Sequence, residues 1–364
     1  SENEEIGEEV EEEGEKSGNY VKLAWMEPVI NNGTISIRVR DLSRELGLKQ
    51  INAKVTKNKV AYGSTSYQVL TPNVEAGRER AQCLYGHPIP HDTKESGKEW
   101  YIKWALRQWN TNLERYLKGE INLDELLKNP AKPRLLVKVK VTNGGLEFEP
   151  ATEQDNEKLW KALEKLRSMW GDPDIPTELI ASYENRSIWV LLYGFDKWFK
   201  LFNPRQLLTL VKLVKLIREA GKKIEEDKLK EGWDKEEALK YAEAVTTYLA
   251  IALARYADYN SVTTFWNYGG QLPAQVAHAL SMRGIAMSWN YGDVSPFVEM
   301  SGTGTFRSNL NKLYQKVIPY IISAVSGSSG GVRVLLDDAS ELSKLEGEKF
   351  DVVVTDPPYA DDVP

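Results

Sequence analysis

Phe350-Asp351-Val352-Val353-Val354-Thr355, followed at once by Asp356-Pro357-Pro358-Tyr359, is the stretch on which the fold reading turns. An unbroken β-branched run reads as a strand buried on both faces, the form that parallel strands of α/β sheets take. Ligand groups in such sheets gather beyond the carboxyl ends of the strands. Pro357 and Pro358 lack N–H groups and fix φ, so they end the ladder, and the residue before each is pushed away from the helical region. The Asp356 carboxylate and the carbonyls of Asp356 and Pro357 are then free to act as acceptors, with the Tyr359 ring beside them. Two acceptors next to an aromatic face suit a planar heterocycle bearing an exocyclic amine. They accept hydrogen bonds from both amine protons and stabilise the charge that develops when the nitrogen attacks an electrophilic methyl group, while the ring stacks on an extruded base.

A second apolar run, Val332-Arg333-Val334-Leu335-Leu336, reads as a neighbouring strand and ends in Asp337-Asp338-Ala339, with Asp338 18 positions before Asp356. An Asp in this position is otherwise a helix N-cap.

Asp-Pro-Pro-Tyr after a hydrophobic strand resembles the catalytic motif of amino-methyltransferases that modify adenine N6 or cytosine N4. The resemblance implies S-adenosylmethionine as methyl donor. Asp356, Pro357, Pro358 and Tyr359 are then the catalytic residues, and Asp338 first or Asp337 second holds the adenine of the cofactor. Further stretches are similar to large archaeal and bacterial proteins described as adenine-specific DNA methylases. These are Ile175 to Ile180, Tyr193-Gly194-Phe195, Leu201 to Leu208 with Asn203-Pro204-Arg205-Gln206, Tyr256 to Ser261, Trp266, and Met287 to Phe297. The resemblance covers roughly residues 170 to 364 and leans toward adenine, with DNA as the partner; cytosine N4 methylation is the alternative.

The glycine-rich turn that binds the methionine part of the cofactor has no convincing counterpart. Ser301-Gly302-Thr303-Gly304 lacks an apolar strand before it, and Ser326 to Gly331 reads as a flexible connection. In the resembled family that turn lies near the N-terminus and the fold continues past the Pro-Pro-Tyr motif. The chain therefore reads as a middle segment of such a protein. A non-catalytic nucleic-acid-binding or interaction module, working with partner proteins of a defence or modification system, is the competing expectation.

The implied fold class is α/β: a partial Rossmann-like S-adenosylmethionine-dependent methyltransferase sheet with a helical subdomain and a β-rich insertion. The organisation reads as a disordered acidic tail over 1–18 and a β-rich insertion with an aromatic and basic helix over 19–150. A helical subdomain over 151–300 and incomplete methyltransferase strands over 301–364 follow. Residues 1–16 hold nine Glu and one Lys, leaving 46 basic and 44 acidic groups in a nearly neutral remainder. With 364 residues and 41% hydrophobic content, core material is ample. No apolar stretch reaches membrane-spanning length, so no membrane partner is expected and the cytoplasm is the expected compartment.

Thr34 to Arg40 alternates as a strand, as does Leu136 to Val141, and Ala61-Tyr62-Gly63 and Tyr67 to Leu70 add short ones. Glu99 to Trp109 predicts a helix whose interleaved aromatic and basic residues serve either nucleic-acid contact or a buried stripe. A helix from 152, another from Asn203 as N-cap to Gly221 with Leu207, Leu208, Val211, Val214 and Leu216 as core, and a third over 235–257 follow. Arg205 and Gln206 read as first-turn packing or DNA contacts, His278 as a helix-face histidine, and Trp266-Asn267-Tyr268 and Trp289-Asn290-Tyr291 as loop aromatics near a ligand. Cys83, the one cysteine, stands near His87 and His91; zinc normally takes four ligands, so no metal site is expected there.

Overall fold

The computed structural model describes residues 16–56, 58–70, 73–75, 78–143, 145–181, 188–267, 275–280, 284–299, 304–327 and 333–355. The chain is mixed α/β. It divides into two compact units: one takes residues 1–172 with 192–195 and 203–208, the other 173–191, 196–202 and 209–364.

In the first unit, strands β1 (Lys16–Tyr20), β2 (Ala24–Asn31) and β3 (Thr34–Asp41) lead to a short helix α1 (Leu42–Leu46). Strands β4 (Ile51–Thr56), β5 (Lys59–Tyr62) and β6 (Thr65–Gln68) follow. β2 and β3 form a hairpin through Asn32 and Gly33, both in the left-handed region at φ 45° and 78°. Asn-Gly is the dipeptide that such a tight turn selects, because a side chain with a larger Cβ substituent strains there. β1, β4, β5 and β6 make a four-stranded antiparallel sheet. Leu23, Leu42, Ile51, Ala53 and Val60 form a core beneath it, flanked by Trp25 and Tyr67.

Short strands β7 (Val74–Glu75) and β8 (Arg80–Ala81) precede helix α2 (Tyr101–Leu117), which buries Trp109, Leu113, Tyr116 and Leu117 along one side. Helix α3 (Leu123–Leu127), the hairpin of β9 (Val137–Thr142) and β10 (Gly145–Pro150), and helix α4 (Glu153–Ser168) complete this unit. Thr152 and Asp155 cap α4 reciprocally, each accepting a backbone N–H of the other, so two otherwise orphaned donors are satisfied.

The long helix α5 (Pro204–Lys230) begins in the first unit and continues in the second. It runs nine residues beyond Gly221, the predicted stop. A single interior glycine costs about 1 kcal/mol, and the Lys- and Glu-rich residues after it are good helix formers. Its bare Cα also faces Thr246 of helix α6 (Lys235–Asp258), whose methyl carbon would lie 2.8 Å from an added Cβ. Leu210 and Leu213 of α5 pack with Ala252 and Tyr256 of α6 and with Phe306. Leu207 and Val211 are buried as expected, whereas Leu216 is exposed. Strands β11 (Phe265–Asn267) and β12 (Gln275–Ala277) pair antiparallel, placing Trp266 and Asn267 in a strand and His278 just after one instead of on a helix. Helix α7 (Phe306–Lys312) passes through a widened π turn at Leu313–Val317 into α8 (Ile318–Val325). Pro319 in the first turn of α8 cannot donate to the ladder, and the widened turn just before it fits that need.

Two strands expected near the end of the chain are not formed among the described residues. Residues 333–336 and 351–355 run without strand pairing, with Val334 92% and Val354 89% exposed. A parallel strand requires hydrogen-bonded neighbours and a cover on each face, and the described residues supply neither. Every named strand pair is antiparallel, and the only described parallel bridge is the isolated one between Ile188 and Ile285. Among the described residues no helix is long and apolar enough to cross a membrane.

Candidate functional site

Asp356, Pro357, Pro358 and Tyr359 lie outside the described residues, as do Tyr268 and Ser301-Gly302-Thr303. Asp337 and Asp338 are described, exposed, and engaged in building a turn. Asp338 Oδ1 accepts from the Ser340 N–H at 2.8 Å and the Ser340 hydroxyl at 2.6 Å. Asp337 accepts from the Lys344 N–H at 2.6 Å, the Ser343 hydroxyl at 2.9 Å and the Asp338 N–H at 3.0 Å. The Lys344 ammonium reaches back to the Leu336 carbonyl. These donors favour the ionised forms: the Lys344 N–H holds Asp337 below the usual carboxylate range, and the Ser340 hydroxyl does the same for Asp338. Such a turn organises Asp337 to Leu345. A nucleoside bound at either carboxylate would have to displace these donors.

A more elaborate polar arrangement joins two stretches of the second unit that sequence reading treated separately, Tyr256 to Thr264 and Ser288 to Val294. The Tyr256 hydroxyl donates to the Val294 carbonyl at 2.6 Å and accepts from Asn260 Nδ2 at 2.9 Å, while Asn260 Oδ1 accepts from the Val294 N–H at 2.9 Å. Thr264 closes a second ring, its hydroxyl donating to the Ser261 carbonyl at 2.9 Å and accepting from the Gly292 N–H at 3.0 Å. Tyr256, Asn260, Ser261, Thr263 and Thr264 are buried. Burial pushes the Tyr256 phenol well above its ordinary value, and the charge of Asp293 adds to that. Gly292 must be small here, since an added Cβ would fall 2.3 Å from a methyl of Val276.

Asp258, at the last position of α6, accepts from the Leu280 N–H at 2.9 Å and lies 3.4 Å from His278 Nδ1. The His278 ring sits 5.5 Å from the ring of Tyr259, over which Arg255 is placed at 5.7 Å. Gly304 also approaches Tyr259 so closely that a Cβ would meet the ring at 2.1 Å. This knot fixes the loops that carry Trp289 and Tyr291, both partly buried. Its hydroxyls and amides bond to one another and to backbone, which positions the loops. Tyr256 and Asn260, four apart at a helix end and followed by Ser261, Thr263 and Thr264, were the available signal for it.

Other residues singled out by sequence have structural tasks. Asn203 Oδ1 accepts from the N–H groups of Arg205 and Gln206, both at 2.9 Å, and Gln206 Oε1 accepts from the Asn203 N–H at 2.9 Å. Gln206 is 0% exposed, so it is a capping residue of α5 and out of reach of DNA. In α2, Trp109 and the preceding Trp100 are buried, Lys103 pairs with Glu79 at 3.4 Å, and Arg107 with Glu99 at 2.8 Å. That helix is a packed stripe with neutralised charges. Cys83 Sγ lies 3.6 Å from His87 Nδ1, while His91 is turned to Glu79 at 2.6 Å. Among the described residues no group of three or more His, Cys, Asp or Glu side chains is placed to hold a metal ion.

Comparison of the chain with protein-family models, with curated proteins and with solved structures finds no match.

Proposed function

We propose that the chain is part of a DNA amino-methyltransferase that modifies adenine at N6. The observation that carries this reading is the order of residues from Phe350 to Tyr359, an apolar β-branched run opening directly onto Asp-Pro-Pro-Tyr. In this reading the Asp356 carboxylate and the Pro357 carbonyl accept hydrogen bonds from the two amine N–H groups of the base, and Tyr359 stacks on its ring. The acceptors shift charge onto the nitrogen and raise its nucleophilicity. The parallel, Rossmann-like arrangement of 332–336 and 350–355 belongs to the same proposal, as does S-adenosylmethionine as donor. Support for the acidic partner is limited to position, because Asp337 and Asp338 follow the neighbouring apolar run but spend their acceptors on Ser340, Ser343 and Lys344.

That last observation, with the unpaired state of both runs, favours a second reading, a nucleic-acid-binding or interaction module that does not itself transfer a methyl group. Cytosine N4 is the nearest chemical variant of the first. Transfer of a radiolabelled methyl group from S-adenosylmethionine to DNA, measured on the chain and on Asp356→Ala, separates the two. Label on adenine N6 that disappears in the variant upholds the first reading; label on cytosine moves it to N4. Absence of transfer, together with no calorimetric heat from S-adenosylmethionine at about millimolar concentration (affinity weaker than about −4 kcal/mol), leaves the interaction module.

A further inference from the structure

The loop joining α5 to α6 and the first turns of α6 frame a shallow depression, wide open to solvent, lined by Gly232, Trp233, Glu237, Lys240 and Tyr241. Its walls are two rings set edge to face, Trp233 and Tyr241, with centroids 5.5 Å apart. Both remain accessible, at 38% and 44% exposure. Part of each ring's surface therefore faces solvent.

The rings already hold one cation. The Lys228 ammonium lies 4.9 Å from the Trp233 centroid and 5.1 Å from that of Tyr241, held also by Glu231 at 2.7 Å. Two ring faces converging on an ammonium is the geometry by which aromatic clusters recognise cations. The surrounding charge is acidic. From Glu225 to Lys240 the chain holds seven acidic and four basic side chains. Three of those four lysines are committed, Lys228 to Glu231, Lys230 to Asp227 at 3.3 Å, and Lys240 to Glu236 at 2.5 Å. Glu225, Glu226, Asp234 and Glu237 stand outside these pairs, as does Lys235, with Lys222 and Lys223 further down α5. Asp234 is kept ionised by the Glu237 N–H, whose bond lowers its carboxyl below the ordinary value.

The geometry points to this hairpin tip as a docking site for an arginine-bearing, basic segment of a partner protein. A guanidinium stacks on the ring surface open to the depression and pairs with Glu237, since a planar delocalised cation suits both an aromatic face and a carboxylate. The acidic surround draws the basic segment in and repels phosphate, so the tip is a protein contact and not a nucleic-acid one. This holds whichever functional reading stands.

The test is fluorescence anisotropy of the full chain with a labelled peptide of alternating arginine and glycine, against a labelled single-stranded oligonucleotide of about 15 residues. Trp233→Ala is expected to weaken peptide binding by about tenfold. Glu237→Gln, which removes the charge of an exposed residue in the first turn of α6, is expected to weaken it by a similar factor. The oligonucleotide is expected to show no dependence on Trp233. Peptide affinity within about twofold of the parent in both variants overturns the proposal, because another acidic stretch of the sequence, such as residues 1–16, would then hold the peptide. Absence of peptide binding to the parent, or oligonucleotide binding lost in Trp233→Ala, overturns it as well.

Discussion

Tyr256→Phe removes a single oxygen from the polar knot of the second unit, and the consequence follows from what that oxygen serves. It donates to the Val294 carbonyl and accepts from Asn260 Nδ2. Phenylalanine fits the same space, so no cavity forms and the cost is that of stranding two partners. Asn260 is 1% exposed and cannot recruit water, which places its loss at about 2 kcal/mol; Val294 is partly accessible and its carbonyl loses about 1 kcal/mol. The sum, about 3 kcal/mol, corresponds to a rise on the order of a hundredfold in the opening equilibrium of the loop. Amide hydrogen exchange reads this directly, because the Val294 N–H donates to Asn260 Oδ1 and the Gly292 N–H to Thr264. Both amides should exchange faster by that order in the variant, while the β2–β3 hairpin keeps its protection. Asn260→Ala should do the same, and the double variant should add little, since the two side chains belong to one ring of hydrogen bonds. Unchanged exchange at Val294, or full additivity of the two substitutions, would refute the reasoning.

Asn203→Ala should lower stability to urea by about 1 to 2 kcal/mol through loss of two capped N–H groups, whereas Asn203→Asp should stay close to the parent; equal losses in the two would show that the cap is not the cause. Acid should act on the start of α4 through Asp155, whose carboxyl is held far below its ordinary range by the Thr152 N–H first, then by Lys138 and the Thr152 hydroxyl. A depressed native value gives stability that is present above the unfolded pKa of about 3.9 and is lost as pH falls through the lower native one. Circular dichroism on acidification should therefore show Asp155→Asn with less acid-dependent helix loss below about pH 4 than the parent, and identical acid limbs would contradict it.

The helices were largely legible because their signals are local. Thr152 and Asn203 announce starts, and Leu159, Leu163 and Leu166 trace a buried face of α4 that needs no knowledge of what covers it. Thr34 to Arg40 and Leu136 to Val141 were legible for the same reason, and Asn32-Gly33 carried an unread hairpin signal. Gly221 misled because its cost is smaller than the propensity on either side and because it admits Thr246, a residue 25 positions away. The contact of Tyr256 with Val294 spans 38 positions and uses a backbone carbonyl, which has no residue signature at all. The apolar runs at 333–336 and 351–355 show the opposite limit. Their composition states what environment they require, while strand formation depends on neighbours that composition cannot supply.

Those runs also govern how the chain behaves at high concentration. Val352-Val353-Val354-Thr355 is uncharged, β-branched and proline-free, the composition that stacks identical copies into cross-β ladders. Asp351 at its head, and Asp337 and Asp338 beyond Leu336, place negative charge at the borders of both runs, where stacked copies would repel. Because Lys344 and Ser340 hold Asp337 and Asp338 ionised below the usual carboxylate range, that electrostatic guard persists into mild acid. The turn that organises Asp337 to Leu345 thus also keeps negative charge at the border of the apolar run.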